Sequence, residues 1–292
     1  MKKLTGALIG VVGKTMTEDE WRERRHEGIG GSDAAAIMGC SDYATPLSVY
    51  LDKVDPQPNE QNEYMRWGHI LEPVVIAEFT RVTGLRVTQR QRMYQHPEYP
   101  WMFATVDGLT RRGLFEGKTT SAFSKGWDGD EPPLAVWVQC QHNMAVTGAQ
   151  MADVACLQGG NRFLHFEVGR DDKFIAKLIE EESALMVRIH AETPPPVTGS
   201  DIDTSILNFL NPGGDSEVLE ITDDVDTWVA GHENLKRLVA QDNDAQAIHA
   251  NNIKAWMGDH EEAAGERWTV TWRPNKNGSR TLRITETTKG TA

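Results

Sequence analysis

Hydrophobic and polar positions change period several times along this chain. Ile70, Leu71, Val74, Val75, Ala77 and Phe79 recur at helical intervals and predict a helix over residues 65–83, which Gly84 stops. Shorter helices are predicted over 17–27, with Thr17 as N-cap and Glu20 three residues on, over 34–38, capped by Ser32 or Asp33, and over 46–54. Alternation predicts strands over 86–94, 102–107 and 114–119. An amphipathic helix over 134–147 ends at Gly148, and 151–158 with 162–168 form a hairpin about Gly159, Gly160 and Asn161. A long helix over 171–192 runs into Thr193-Pro-Pro-Pro196, and the segment 55–62 reads as a polar loop. Past the prolines, 224–262 carries Val225, Trp228, Leu235, Leu238, Val239, Ile248, Ile253 and Trp256 at helix-like intervals. One long helix and a helical hairpin bent near residues 241–244 both fit that pattern. Residues 268–272 alternate as a strand with which 280–285 can pair.

These elements predict an α/β fold: a mixed central sheet flanked by helices, followed by a mostly helical C-terminal appendage. The proline run sets the expected boundary, giving domains over 1–196 and 197–292. Composition narrows the class. With 292 residues, 39% hydrophobic and 25% charged, the chain is an ordinary globular one. No apolar run reaches the ~20 residues of a membrane span, and Leu8 to Val12 is too short for a secretory signal. Three scattered cysteines argue against a disulfide framework and for a reducing cytoplasm; the nine histidines show no zinc-binding spacing. The net charge of −13 is unevenly placed, for residues 1–125 hold 16 Lys/Arg against 16 Asp/Glu, and the rest carries the whole excess. A locally basic groove in the first part is therefore compatible with an acidic protein.

The chemistry concentrates in Ala104-Thr-Val-Asp-Gly-Leu-Thr-Arg-Arg-Gly-Leu-Phe-Glu-Gly-Lys118. Residues two apart on a strand share a face, so Glu116 and Lys118 project together, and the intervening turn brings Asp107 alongside. Two hard oxygen ligands beside a cation suit Mg²⁺-assisted attack of water on a phosphodiester, whereas the bland reading is a hairpin turn and a solvated strand face. Glu72 sits among Leu71, Pro73, Val74 and Val75, where a carboxylate needs a partner or a metal unless it lies on the helix surface. Gly28-Ile-Gly-Gly-Ser-Asp33 opens a helix, an arrangement that by itself reads first as an ordinary capped turn and also suits a phosphate.

Five segments occur in order: Arg25-x-x-Gly-Ile-Gly-Gly-Ser-Asp33, Gly68-x-x-Leu-Glu-Pro73, Ala104-Thr-Val-Asp-Gly108, Phe115-Glu-Gly-Lys118 and Val138-Gln-Cys-Gln-His142. Together, over residues 20–192, they resemble the YqaJ-like viral recombinase family, relatives of the phage lambda exonuclease within the PD-(D/E)XK nuclease superfamily. The resemblance implies that Asp107 and Glu116 are the main metal ligands, joined by the Gly117 carbonyl and by Glu72. It implies that Lys118 is the catalytic lysine and that Gln139 positions the water or substrate, with Gln141 turned to another face. It implies that Arg25 and Ser32 hold the 5′-terminal phosphate. Gly117 departs from the bulkier apolar residue usual there. The implied function is a Mg²⁺-dependent exonuclease, with Mn²⁺ as a substitute, digesting duplex DNA ends 5′ to 3′ and leaving 3′ overhangs for recombination. Its implied setting is a phage or prophage protein in the bacterial cytoplasm, forming a ring-shaped trimer or tetramer and working with a single-strand annealing protein. A structure- or sequence-specific endonuclease and a non-catalytic DNA-end binding module are the alternatives. Trp67, Trp101, Trp127 and Trp137 read as core or groove wall rather than base-stacking residues, and His69 and His142 as satisfied polar groups rather than ligands.

Overall fold

The structure of the protein is a computed structural model describing residues 4–56, 63–213, 218–277 and 279–286. Residues 57–62 of the predicted polar loop lie outside the described residues. The chain divides into two compact units, residues 1–213 and 214–292.

The first unit opens with strand β1 (Ala7–Val11) and helices α1 (Glu18–His26), α2 (Gly31–Ile37), α3 (Pro46–Val54) and α4 (Glu63–Thr83). Strands β2 (Arg92–Gln95), β3 (Phe103–Val106), β4 (Gly108–Leu109) and β5 (Leu114–Thr120) follow. Helix α5 (Leu134–Thr147), strands β6 (Met151–Gln158) and β7 (Arg162–Gly169), and helices α6 (Asp172–His190) and α7 (Asp201–Leu210) complete it. One sheet runs β1-β2-β3 and a second β4-β5-β6-β7. The second is mixed: β5 and β6 are parallel, while β4–β5 and β6–β7 are antiparallel.

Local sequence explains most of these elements. Thr17 accepts the Glu20 N–H at 3.2 Å while the Glu20 carboxylate accepts the Thr17 N–H at 2.7 Å, a reciprocal cap that starts α1. Helix α5 is not amphipathic as expected. Val138 and Cys140 to Thr147 are all buried, because the helix packs against both sheets, beside Ala104 and Val106 and beside Ala152, Val154 and Cys156. Gly148 ends it in the left-handed conformation at φ 74°, where a side chain would be strained.

Several expectations need correction. β1 went unrecognised in the sequence; it pairs antiparallel with β2. The strand expected over 86–94 is confined to β2. Residues before it bridge elsewhere, Thr88 pairing with Leu109, and Gln89 and Gln91 adopt positive φ. Helix α2 begins at Gly31, with Gly30 as N-cap, so Ser32 and Asp33 lie inside its first turn; the Asp33 carboxylate reaches back to accept the Gly30 N–H at 3.0 Å. The proline run stops α6 but does not end the unit. Beyond it α7 is tied back through buried Asp203, which accepts from Thr45 Oγ1 at 2.5 Å and from Thr198 Oγ1 at 2.8 Å.

In the second unit α8 (Asp223–Met257) is a single continuous helix, which settles the choice against a bent hairpin. Strands β8 (Glu262–Ala264), β9 (Trp268–Pro274) and β10 (Arg280–Glu286) form an antiparallel sheet ordered β10-β9-β8, with Trp272 opposite Leu282.

Candidate active site

The β4–β5 pairing sets the site's centre. Gly108 lies opposite Phe115, so Asp107 falls beside Glu116 at the strand edge. The Asp107 carboxylate accepts the Gly117 N–H at 2.8 Å. Glu116 is buried and Lys118 half-buried, and both point to the same side, as a period of two requires. Their charged atoms are 2.7 Å apart. Gln139, on α5, bridges them: its Nε2 donates to Glu116 at 2.7 Å and its Oε1 accepts from Lys118 at 2.9 Å. Both ends of this amide are thus engaged, which fixes the orientation of the acid and the lysine together.

Glu72, Asp107, Glu116 and Lys118 line one cavity of about 400 Å³, an ordinary size for a small-ligand site. Glu72 is held there by Arg90, whose Nη2 donates at 2.6 Å, and by Gln91 Nε2 at 3.3 Å. Crowded acids in a partly desolvated pocket repel one another. Burial, and then Glu116 and more weakly Glu72, push the Asp107 pKa up to about 8, against the opposing pull of Lys118 and the Gly117 N–H. Burial alone would lower the Lys118 pKa, but Glu116 and Asp107 outweigh it and raise the pKa, so the ammonium keeps its proton at neutral pH. The site gathers three carboxylates, Glu72, Asp107 and Glu116, about one lysine, and Gly117 lines it as well. Such a set fits a hard divalent cation, and Glu72 would have to exchange its Arg90 partner for the ion to take part.

Arg25 and Ser32 line the same cavity. Arg25 Nη2 donates to Ser32 Oγ at 2.8 Å, and its guanidinium lies 5.3 Å from the Trp21 ring centroid. Below them Asp33 pairs with Lys53 at 3.0 Å and with Arg25 at 3.4 Å. Burial disfavours charge on Asp33, yet Lys53, Arg25 and the Gly30 N–H together hold its pKa below the usual carboxylate value. The glycines let this turn lie close to β3 and α5. A Cβ on Gly28 would stand 2.1 Å from the Trp101 carbonyl oxygen, where Ile29 N–H bonds that same oxygen at 2.8 Å. A Cβ on Gly31 would stand 2.6 Å from Asn143 Oδ1.

Other residues fall outside the site. Gln141 is fully buried, donating to the Gly169 carbonyl and accepting from the Asp171 N–H. His142 is equally buried between Glu182 and the Phe103 carbonyl, a satisfied core histidine as expected. His69, in contrast, is exposed and lines the cavity. Trp127 is in the core and Trp101 and Trp137 pack against it, while Trp67 stands 49% exposed on α4. Among the described residues, three whose carboxylate and imidazole ligand atoms all lie within 4.8 Å of one another are Asp153, His165 and Glu167. They project from the sheet on the side of Phe115, opposite Glu116, and Arg112 already pairs with both acids. Sequence reasoning missed Trp21, Arg90, Gln91 and Asn143. Only Asn143 had a signal, its place one helical turn after Gln139.

A family model, the YqaJ-like viral recombinase domain, matches residues 20–150. A Bacillus subtilis (strain 168) protein named Uncharacterized protein YqaJ is 30% identical over 272 residues, which is 89% of this chain and 84% of that one. The chain belongs to the YqaJ-like viral recombinase family. Among solved structures it is similar to an alkaline exonuclease (LHK-Exo) from Laribacter hongkongensis, with a TM-score of 0.51 and 26% identity over 60% of this chain and 93% of that one. The same enzyme in complex with dAMP gives a TM-score of 0.50 and 23% identity over 67% and 99%. This YqaJ-family chain therefore has the mixed α/β architecture of the PD-(D/E)XK exonucleases. Among its described residues no helix is long and apolar enough to cross a membrane.

Proposed function

We propose that this YqaJ-family protein is a metal-dependent deoxyribonuclease that digests linear duplex DNA from its ends, 5′ to 3′, leaving 3′ overhangs for recombination. The observation that carries the reading is the junction, in one cavity, of the Asp107–Glu116–Lys118 cluster with Arg25 and Ser32. One group of residues suits cleavage of a phosphodiester and the other suits holding a phosphate. The alkaline exonuclease of similar fold supports the same reaction class.

Mg²⁺, or Mn²⁺ in its place, would be held by Asp107, Glu116, the Gly117 carbonyl and Glu72. When bound it would polarise the scissile phosphate and acidify a water. The chain's own side chains do the rest. Lys118 keeps its proton, so it acts as a fixed cation that orients the water and offsets charge growing on the phosphate, not as a base. Gln139 sets the lysine's position. Arg25 offers a planar donor pair to the terminal phosphate, and Ser32 adds a hydroxyl.

End-labelled linear duplex and covalently closed circular DNA, each with Mg²⁺ and with chelator, test the proposal. Linear DNA should be shortened only with metal and the circle spared; cutting of the circle would favour the endonuclease reading. Glu116→Ala should abolish digestion while DNA-end binding persists. Undiminished digestion by that variant would remove the mechanism. We further propose that the chain works as a homo-oligomer and with a single-strand annealing protein. The long apolar stripe exposed on α8 supports an interface in the second unit.

A further inference from the structure

A second cavity, of about 410 Å³, lies between residues 84–89 and 109–111, and no carboxylate lines it among the described residues. That is unusual in a chain of net charge −13. Two neighbouring arginines are already engaged elsewhere. Arg90, next after Gln89, holds Glu72, and Arg112, next after Arg111, pairs with Asp153 and Glu167. Arg86 and Arg111 instead line the cavity, exposed and with no ion pair or hydrogen bond among the described residues.

The polar groups of the cavity floor are satisfied internally. Thr88 and Leu109 exchange both backbone bonds, at 2.8 and 2.7 Å. Thr88 Oγ1 donates to the Leu109 carbonyl at 3.3 Å, and Thr110 Oγ1 to buried Asp153 at 3.1 Å. Among the described residues, the donors left open are the two guanidiniums and the side-chain amide of Gln89. Gln89 is held at φ 53°, a conformation that residues with side chains rarely adopt. Two cations and an amide around a hollow without acid match a phosphate group, whose oxygens a planar guanidinium can pair two at a time. No aromatic ring lines the hollow to stack on a base, so it would recognise charge and not sequence.

The hollow continues the catalytic site along the chain. Leu109 is two residues past Asp107, about 7 Å along a strand. Gln89 directly precedes the arginine that holds Glu72. Each strand of a DNA duplex carries a phosphate about every 3.4 Å of axis. Resting on the exonuclease reading, we propose that Arg86 and Arg111 form a second phosphate site, which holds a backbone phosphodiester of the duplex a few nucleotides from the scissile bond. The site contributes affinity for DNA and takes no part in bond breaking. A free 5′-mononucleotide offers the same phosphate chemistry, and the experiment separates the two sources.

Full-length Arg86→Gln/Arg111→Gln is compared with wild type in three measurements. These are duplex binding against salt concentration in chelator, kcat and KM for digestion with Mg²⁺, and inhibition of digestion by a 5′-mononucleotide. Duplex binding should weaken by about tenfold, as expected for lost hydrogen bonds to a charged group. The slope of log affinity on log salt should become shallower by about one, the share of a single phosphate. KM should rise while kcat stays within about twofold. Arg86→Lys/Arg111→Lys, which keeps the charge, should restore the salt slope. Arg81→Gln removes an exposed α4 arginine already paired with Glu78 and should change none of these. Each single substitution should show part of the effect and serves if the double variant does not fold. Unchanged affinity and slope, a fall in kcat at constant KM, or an equal loss in Arg81→Gln would each overturn the proposal. Weaker inhibition by the mononucleotide with unchanged duplex binding would assign the site to the free nucleotide and overturn it too. Only a wild type that neither binds nor digests linear duplex would sink the exonuclease reading, so the two failures are distinguishable.

Discussion

Asp107 keeps a proton to about pH 8, where an ordinary aspartate loses it near 3.8, because burial and the neighbouring acids disfavour its charge. The sign of the consequence is fixed. Between these values the folded metal-free protein binds a proton that the unfolded chain has released, so its stability falls as pH rises across that window. A divalent cation must displace the same proton. Metal affinity, and with it DNA digestion, should rise with pH up to about 8 and then level off. Calorimetric titration with Mg²⁺ in buffers of different ionisation enthalpy should detect about one proton released per site at pH 7 and almost none at pH 9. Proton-free binding at pH 7 would show either that Asp107 is already ionised there or that it is not a ligand. Lys118 supplies a second expectation at this scale. Its ammonium neutralises Glu116 and fixes Gln139, so Lys118→Met should cost roughly 10²-fold or more in kcat, as losses of one preorganised charge commonly do, with a smaller change in KM.

The glycine turn carries its information in the elements it lets approach. Gly28→Ala forces a methyl against the Trp101 carbonyl at the point where the turn is stitched to β3, and backbone cannot yield as a side chain can. A loss of roughly 1–3 kcal/mol in a denaturant titration is expected. Gly117→Ala meets nothing nearer than 3.4 Å, so the departure from the family's bulkier residue is one of flexibility rather than space, and its cost should stay under about 1 kcal/mol. Undiminished stability in Gly28→Ala would contradict the packing. The same contrast explains what the sequence could reveal. Glu116 and Lys118 were legible because a strand's period is fixed by the backbone, and Asp107 because a short hairpin returns the chain to the same place. Arg90 and Gln91 were not. They reach Glu72 from an irregular segment held by the Thr88–Leu109 bridge, and the positive φ of Gln89 and Gln91 is not marked by glycine. β1 was hidden for a similar reason, since a short apolar run becomes a strand only when β2 is there to pair with it. The proline run did mark the end of α6, but only the fold could show Asp203 anchoring α7 to Thr45 beyond it.

At the scale of the whole molecule, the excess of acid and the apolar stripe of α8 fall in the same part of the sequence. Residues 126–292 carry the entire net charge of −13. Within them, α8 spans about 50 Å at 1.5 Å per residue. Trp228 and Leu235 lie seven residues apart along it and Leu235 and Val239 four, which is helical spacing, and Trp228 and Trp256 are 70% and 75% exposed. Apolar stripes of this length commonly serve as surfaces that another chain covers, and this one is the interface proposed above for the second unit. The first unit needs none of it to assemble the cavity, whose lining lies wholly before residue 144. Trp228→Glu combined with Trp256→Glu should therefore leave the circular dichroism spectrum and the cleavage of short duplexes unchanged while lowering the solution mass measured by light scattering. If the mass holds while binding of an annealing protein is lost, the stripe serves the partner instead. If neither changes, this stripe of α8 is not an interface, and any oligomer must use another surface.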